Sequence, residues 1–231
     1  MLLKEILQRL CEGEFSSIAS GYILDGSPLN EHHAGLVRHI DMGLLELYKR
    51  FPLRIREAYI QQYDHIQNYV LHSQFAVTNT ESSAPTQYIE DTPLNKFTDS
   101  DFLCIDKLFN EIGEEVPLND YHKCNSMFTS AYNTIQVPCP SSANVFLVHY
   151  RAGHTLLPVD EKPDEVEVHC PYSHLEALLY YVAHRKLAST HADESNMYLM
   201  KFEQSCNKIK ELNLMNQDNT QGEQFYLGGW V

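Results

Sequence analysis

His169 and Cys170, followed by His174, come closest to a reactive or metal-binding group in this chain. A thiolate and two imidazoles are good zinc ligands, and a strand end leading into a first helical turn can make them converge. An imidazole beside the thiol would also lower its pKa and create a nucleophile. Nothing nearby supports either chemistry, and the plain alternative is a set of polar residues at a domain boundary. The adjacent His32 and His33 would point about 100° apart on a helix. His39 with Asp41 offers no His-x-x-x-His pair. Cys11, Cys104, Cys124, Cys139, Cys170 and Cys206 contain no Cys-x-x-Cys pair. The carboxylate pairs Asp99/Asp101 and Glu114/Glu115 fall in turn-like sequence, where solvation is the ordinary state. There is no Gly-x-Gly-x-x-Gly, no Walker loop and no Gly-x-Ser-x-Gly elbow. The expectation is a non-enzymatic protein with no cofactor and no tightly held metal, its reduced cysteines serving as small core hydrophobes.

The totals agree with that expectation. The chain has 231 residues, enough for one large or two small cores, with 43% hydrophobic and 21% charged residues. A net charge of −14 argues against a groove that grips nucleic-acid phosphates, which needs clustered Lys and Arg. An acidic surface serves solubility, or lines a passage through which a polyanion slides without sticking. No signal-peptide pattern follows Met1, so synthesis in the cytoplasm is expected. No apolar run approaches the roughly 20 residues of a membrane span, so no membrane is expected as a partner.

The elements that must position these residues centre on Pro171 to Leu214. Ser173 and Glu176 form a capping-box pattern, and Leu175, Leu178, Leu179, Val182, Ala183 and Leu187 follow at helical spacing. A second helix carries Tyr198, Phe202, Ser205, Ile209 and Leu212. The connector between them is too short for a crossover, which predicts an antiparallel pair with Val182 and Phe202 near each other. At the start of the chain, Leu2, Leu3, Ile6, Leu7 and Leu10 mark a short helix that Gly13 ends. Phe15 to Pro28 reads as a loop and Asn30 as a cap. Leu36, Val37, Ile40, Leu44, Leu47, Tyr48 and Phe51 then form a long stripe, closed by Pro52.

Between the helical pairs the period falls towards two. Arg54–Tyr63, Gln67–Leu71, Phe102–Phe109, Val116–Leu118, Thr134–Val137, Val145–Tyr150 and Glu165–Cys170 read as strands, with Thr78–Pro85 a loop and a Gly turn at Gly113. The fold class is therefore α+β. Residues 1–52 and 171–214 form an antiparallel helical bundle, two helices from each end of the chain. Residues 53–170 form an inserted β-rich domain, and residues 215–231 an extended C-terminal tail. Gln217–Gln224 is a polar spacer, after which Phe225, Tyr226, Leu227 and Trp230 make an aromatic terminus suited to anchoring on a partner. The interface-prone residues Tyr172, Tyr180, Tyr181, Arg185 and Lys186 are expected on an exposed face where neighbouring subunits meet.

Several stretches resemble the head-to-tail connector, or portal adaptor, family of tailed bacteriophages. The likeness is carried by His39 to Arg54, with its Gly43-Leu44, Leu47-Tyr48 and Phe51, and by Val116 to Asp120 and Val148 to Ala152. Pro171 to Arg185 and Tyr198 to Glu203 complete it. The match spans nearly the whole chain, in soft motifs of packing residues. The resemblance implies a virion protein of the neck, a helical bundle with an inserted β domain, assembled as a usually dodecameric homo-oligomer ring. It implies a portal protein above, reached by the C-terminal segment, a tail or nozzle protein below, double-stranded DNA passing through the lumen, and no cofactor. No fixed motif of the family matches the tail. Two other readings use the same features: a tail-completion or tube-end component, and a small hydrolase or thiol enzyme with its site between bundle and β domain.

Overall fold

Every residue of the long N-terminal stripe is buried in the computed structural model of the chain. Leu36, Val37, Ile40, Leu44, Leu47, Tyr48 and Phe51 line one side of helix α2 (Asn30–Arg50) and its exit. The structure describes residues 1–15, 23–24, 27–28, 30–159 and 161–212, with the backbone alone at 23–24, 27–28 and 30–32. Spatial contacts divide the chain into two compact units. One comprises Met1–Phe51 and the chain from Leu156 onward, and the other is Pro52–Thr155.

In the first unit, α1 (Leu3–Glu12) buries Leu3, Ile6, Leu7, Leu10 and Cys11, and the Gly13 N–H bonds the Arg9 carbonyl at its end. The segment read as a loop contains a small antiparallel pair, β1 (Ile23–Leu24) with β2 (Ser27–Pro28). Helices α3 (Tyr172–Leu187) and α4 (Ala192–Glu211) form the predicted hairpin. Their antiparallel course is plain from the contacts: His184 meets Ser195 beside the bend, and farther out Tyr181 meets Phe202 edge-on, ring centroids 5.1 Å apart. Helix α3 also packs on α2 and α1. Gly43 permits the α2 contact, because a Cβ there would lie 2.7 Å from Leu178 Cδ1 and 3.2 Å from Tyr181 Cδ1.

Three local readings are corrected here. The capping box does not form: α3 begins two residues earlier, with Pro171 in place of Ser173 at its cap and no side-chain cap bond. Ser173 instead contacts the His174 ring, and Glu176 accepts from the Tyr180 hydroxyl one turn on. Leu212 is 69% exposed, since α4 ends at Glu211 before the stripe completes another turn. Glu165–Cys170 is not a strand of a sheet. It runs beside the chain start with one bridge, Leu2 to Glu167, and Leu3 N–H donates to the Val166 carbonyl at 2.9 Å. It groups with the helices and not with the strands.

The second unit is antiparallel. Strands β3 (Ile55–Gln61), β5 (Ile89–Glu90), β6 (Phe102–Asn110), β7 (Glu115–Val116) and β10 (Val145–Ala152) make a sheet of order β5-β3-β10-β6-β7. A smaller sheet orders β4 (Asn68–Val70), β9 (Thr134–Gln136) and β8 (Phe128–Ala131) as β4-β9-β8. The central strand β10 follows the period-two rule: Phe146, Val148, Tyr150 and Ala152 are buried while the residues between them are partly exposed. Tyr69 of β4 meets Phe146 of β10 edge-on, centroids 5.7 Å apart, so the two sheets share one core. Both edge strands of the larger sheet are two residues long, which limits open edge pairing. Gly113, at φ +83°, makes the tight turn between β6 and β7, where Asn110 Oδ1 accepts from the Glu114 N–H at 2.8 Å.

Candidate functional site

The start of α3 holds the residues that sequence put forward for chemistry. His174 is fully buried. Its Nδ1 lies 3.0 Å from the Ser173 hydroxyl, its ring meets Phe51 edge-on at 4.7 Å, and its Nε2 has no hydrogen-bond partner among the described residues. Burial pushes its pKa down, which favours the neutral ring. Cys170 is also buried, and its thiol faces the Pro171 carbonyl at 3.6 Å. Burial pushes that thiol up to about 11, opposite to the activation a nucleophile needs. His169 supplies its backbone carbonyl to the Tyr48 hydroxyl at 2.8 Å. Among the described residues, no three His, Cys, Asp or Glu side chains are grouped to hold a metal.

A serine–histidine pair does occur, at the bend between α3 and α4. Ser195 Oγ lies 2.9 Å from His184 Nδ1, but the same hydroxyl donates to the His184 carbonyl at 3.0 Å. His184 Nδ1 in turn lies 3.0 Å from the Ser195 carbonyl. Both groups are occupied by backbone, and Ser195 is buried. The arrangement is a clasp that fixes the hairpin.

Of the remaining cysteines, Cys11 and Cys206 are buried and Cys104 is partly so. Cys124 and Cys139 are exposed, so the core expectation does not extend to them. Burial pushes the Cys206 thiol up to about 11. Asp101 likewise departs from the solvated expectation: Arg56 and Arg54 approach its carboxylate at 3.2 and 3.4 Å, and its carbonyl accepts from Gly153 N–H at 2.6 Å.

The five residues expected on one interface face do not share a surface. At about 100° per residue, positions 172, 180, 181, 185 and 186 point all around a helix. Tyr172 is 73% exposed. Tyr180 bonds Glu176 at 2.9 Å and sits beside Tyr198 under Lys201. Tyr181 is half-buried against Phe202 and Gly43, inside the helical unit. Arg185 reaches the Met42 sulfur at 3.7 Å, and both Lys186 and Arg185 act on the partly buried His39, adding to the burial that lowers its pKa. The tail residues Phe225, Tyr226, Leu227 and Trp230 lie outside the described residues.

One surface of the β unit escaped the sequence reading. Leu147 pairs with Tyr59 on one side and Phe109 on the other, so three apolar side chains cross the outer face of the larger sheet. They line a shallow trough of about 460 Å3 with Val145 and His149. Beside it runs a polar row in which His149 Nε2 lies 3.3 Å from Glu57 and Lys107 Nζ lies 3.1 Å from Glu115. Its signal was present in the alternate positions of the strands, but choosing which face is outward requires the fold.

No protein-family model and no curated protein matches this chain. Among the described residues, no helix is long and apolar enough to cross a membrane.

Proposed function

We propose that this chain is a structural protein of the tailed-phage neck, a head-to-tail connector that assembles as a ring beneath the portal. In this reading, residues at both ends of the chain make a helical bundle, the β unit is an insertion into it, and DNA passes through an acidic lumen. The observation that carries the proposal is where the family-like residues sit. Gly43, Leu44, Leu47, Tyr48 and Phe51 of the first stretch are buried. They form a common helical core with Leu175, Leu178, Val182 and Ala183 of the second, and Phe202 of α4 packs beside them. Motifs separated by more than 100 residues thus act together as one packing unit, which is what soft motifs of a structural family encode. The order of elements, helix pair, strands, helix pair, supports the same reading.

The net charge of −14 suits a wall over which DNA slides. The C-terminal aromatics Phe225, Tyr226, Leu227 and Trp230 would serve as the portal anchor, at the end of a polar spacer. The deciding experiment is cryo-EM of virions combined with co-sedimentation of the purified chain on cognate portal rings. Density for the chain between portal and tail, and binding that is lost on deletion of Phe225–Val231, are expected. A chain that is absent from particles and does not bind portal rings overturns the reading.

A further inference from the structure

Two helix faces of the first unit point away from its core, and they complement each other in an apolar centre and in opposite charge at one end. On α2, the exposed residues Arg38, Met42, Leu45 and Lys49 are spaced four, three and four apart, opposite the buried stripe. Met42 and Leu45 remain 39% and 37% exposed, with a cation one turn beyond each. Two carboxylates of this helix are engaged elsewhere, Asp41 by the Leu157 N–H and Glu46 by Arg50. Arg185 lies beside Met42 and adds to the positive charge. Neither Arg38 nor Lys49 has an ion-pair partner among the described residues.

On α4, Asp193, Met197, Met200 and Gln204 repeat the same four-three-four spacing, opposite the face that packs on α3. Met197 and Met200 are 45% and 64% exposed, and Glu194 stands beside Asp193. One stripe is therefore basic–apolar–apolar–basic, and the other starts acidic, continues through two methionines and ends polar.

We propose that the α2 stripe of one copy docks on the α4 stripe of a second copy, methionines and Leu45 forming the apolar seam and Asp193 with Glu194 facing the α2 cation at one end of it, while the other cation meets the Gln204 end. Charge complementarity selects this occupant, since the acidic start of α4, on a protein of net charge −14, is repelled by an acidic surface and attracted to the basic and apolar α2 stripe. The two stripes lie on different helices, so the contact is heterologous. Each copy keeps one free half of it, and association continues until a ring closes or a filament grows. One helix seam alone is smaller than a standard interface of roughly 1,200–2,000 Å2, so the contact is modest in strength and sensitive to salt. The inference deepens the connector reading, in which the chain assembles with itself, but rests on the surface chemistry of these helices.

The test is sedimentation velocity of the full chain across protein and salt concentration. Wild type is expected to form oligomers that grow with concentration and weaken with salt. R38E with K49E, and separately D193K with E194K, should each lower the association constant at least about tenfold. Mixing the two variants should restore it, because each then meets a charge-reversed partner. Because lysines in the first turn of α4 oppose its helix dipole, Met200→Lys with Gln204→Lys is a second variant that inserts positive charge into the stripe away from the helix start, with folding checked by circular dichroism. A wild type that stays monomeric, a dimer that never grows, or folded variants that associate like wild type overturns the inference. The last result, in a chain that still binds portal rings, leaves the connector reading standing. Association through these helices by a chain absent from virions would do the reverse.

Discussion

The guanidinium of Arg50, at the end of α2, holds the Glu203 carboxylate of α4 through two hydrogen bonds of 2.6 and 2.9 Å. The same group lies over the Phe202 ring, 4.7 Å from its centroid, and its Nε bonds Glu46. One side chain thus ties two helices drawn from opposite ends of the chain. The bond to Arg50 holds the Glu203 carboxyl below its ordinary value. A lowered folded pKa means that this contribution is present above the unfolded value near 4.3 and is lost as pH falls through the folded one. Glu203 is half-exposed, so Glu203→Gln should cost only about 1 kcal/mol or less at neutral pH. The urea midpoints of the two proteins should converge in acid.

Phe202 is buried at the centre of the hairpin against Tyr181. Phe202→Ala should cost about 3–5 kcal/mol in urea unfolding, the usual range for a core Phe. A loss below about 1 kcal/mol would mean that this contact is absent in solution.

Gly43 and Gly35 lie on one helix and should respond to alanine with opposite sign. A Cβ at Gly43 meets Leu178 at 2.7 Å, whereas one at Gly35 meets nothing within 4 Å. Alanine favours a helix by about 1 kcal/mol over glycine, so Gly35→Ala should stabilise. At Gly43 that gain is outweighed by overpacking, which costs about 1–3 kcal/mol in a filled core. Thermal melting of both variants gives the comparison directly.

His174 should make the helical unit sensitive to mild acid. Burial lowers its folded pKa, so the unfolded chain binds the proton first. Its contribution is complete above the unfolded value near 6.5 and declines as pH falls from there through the folded value. His39 titrates in the same direction, lowered by burial and then by Lys186 and Arg185. The His174→Met variant should lose less stability than wild type between pH 8 and pH 5. An equal loss in both would remove His174 from the account.

Helical and strand elements were legible because their signal is local. The stripe from Leu36 to Phe51 and the alternation from Val145 to Tyr150 each report burial through spacing alone. The four-three-four run of Arg38, Met42, Leu45 and Lys49 was equally present, but a helical wheel cannot say whether its outer face is covered by another part of the chain. Capping was not settled locally: Ser173 and Glu176 have the right spacing, yet the backbone turns two residues earlier and both side chains find other partners.

The sequence by itself determined that this is an α+β chain with helices at both ends and strands between, since apolar period is a property of neighbouring residues. Tertiary structure alone decided the polar groups. Asp101 draws Arg54 and Arg56 from the start of β3, Glu165–Cys170 lies against Met1–Leu3, and His174 loses all contact with water behind Phe51. The charge and reactivity of such groups depend on desolvation and on partners brought in from distant parts of the chain, and neither is written in local spacing.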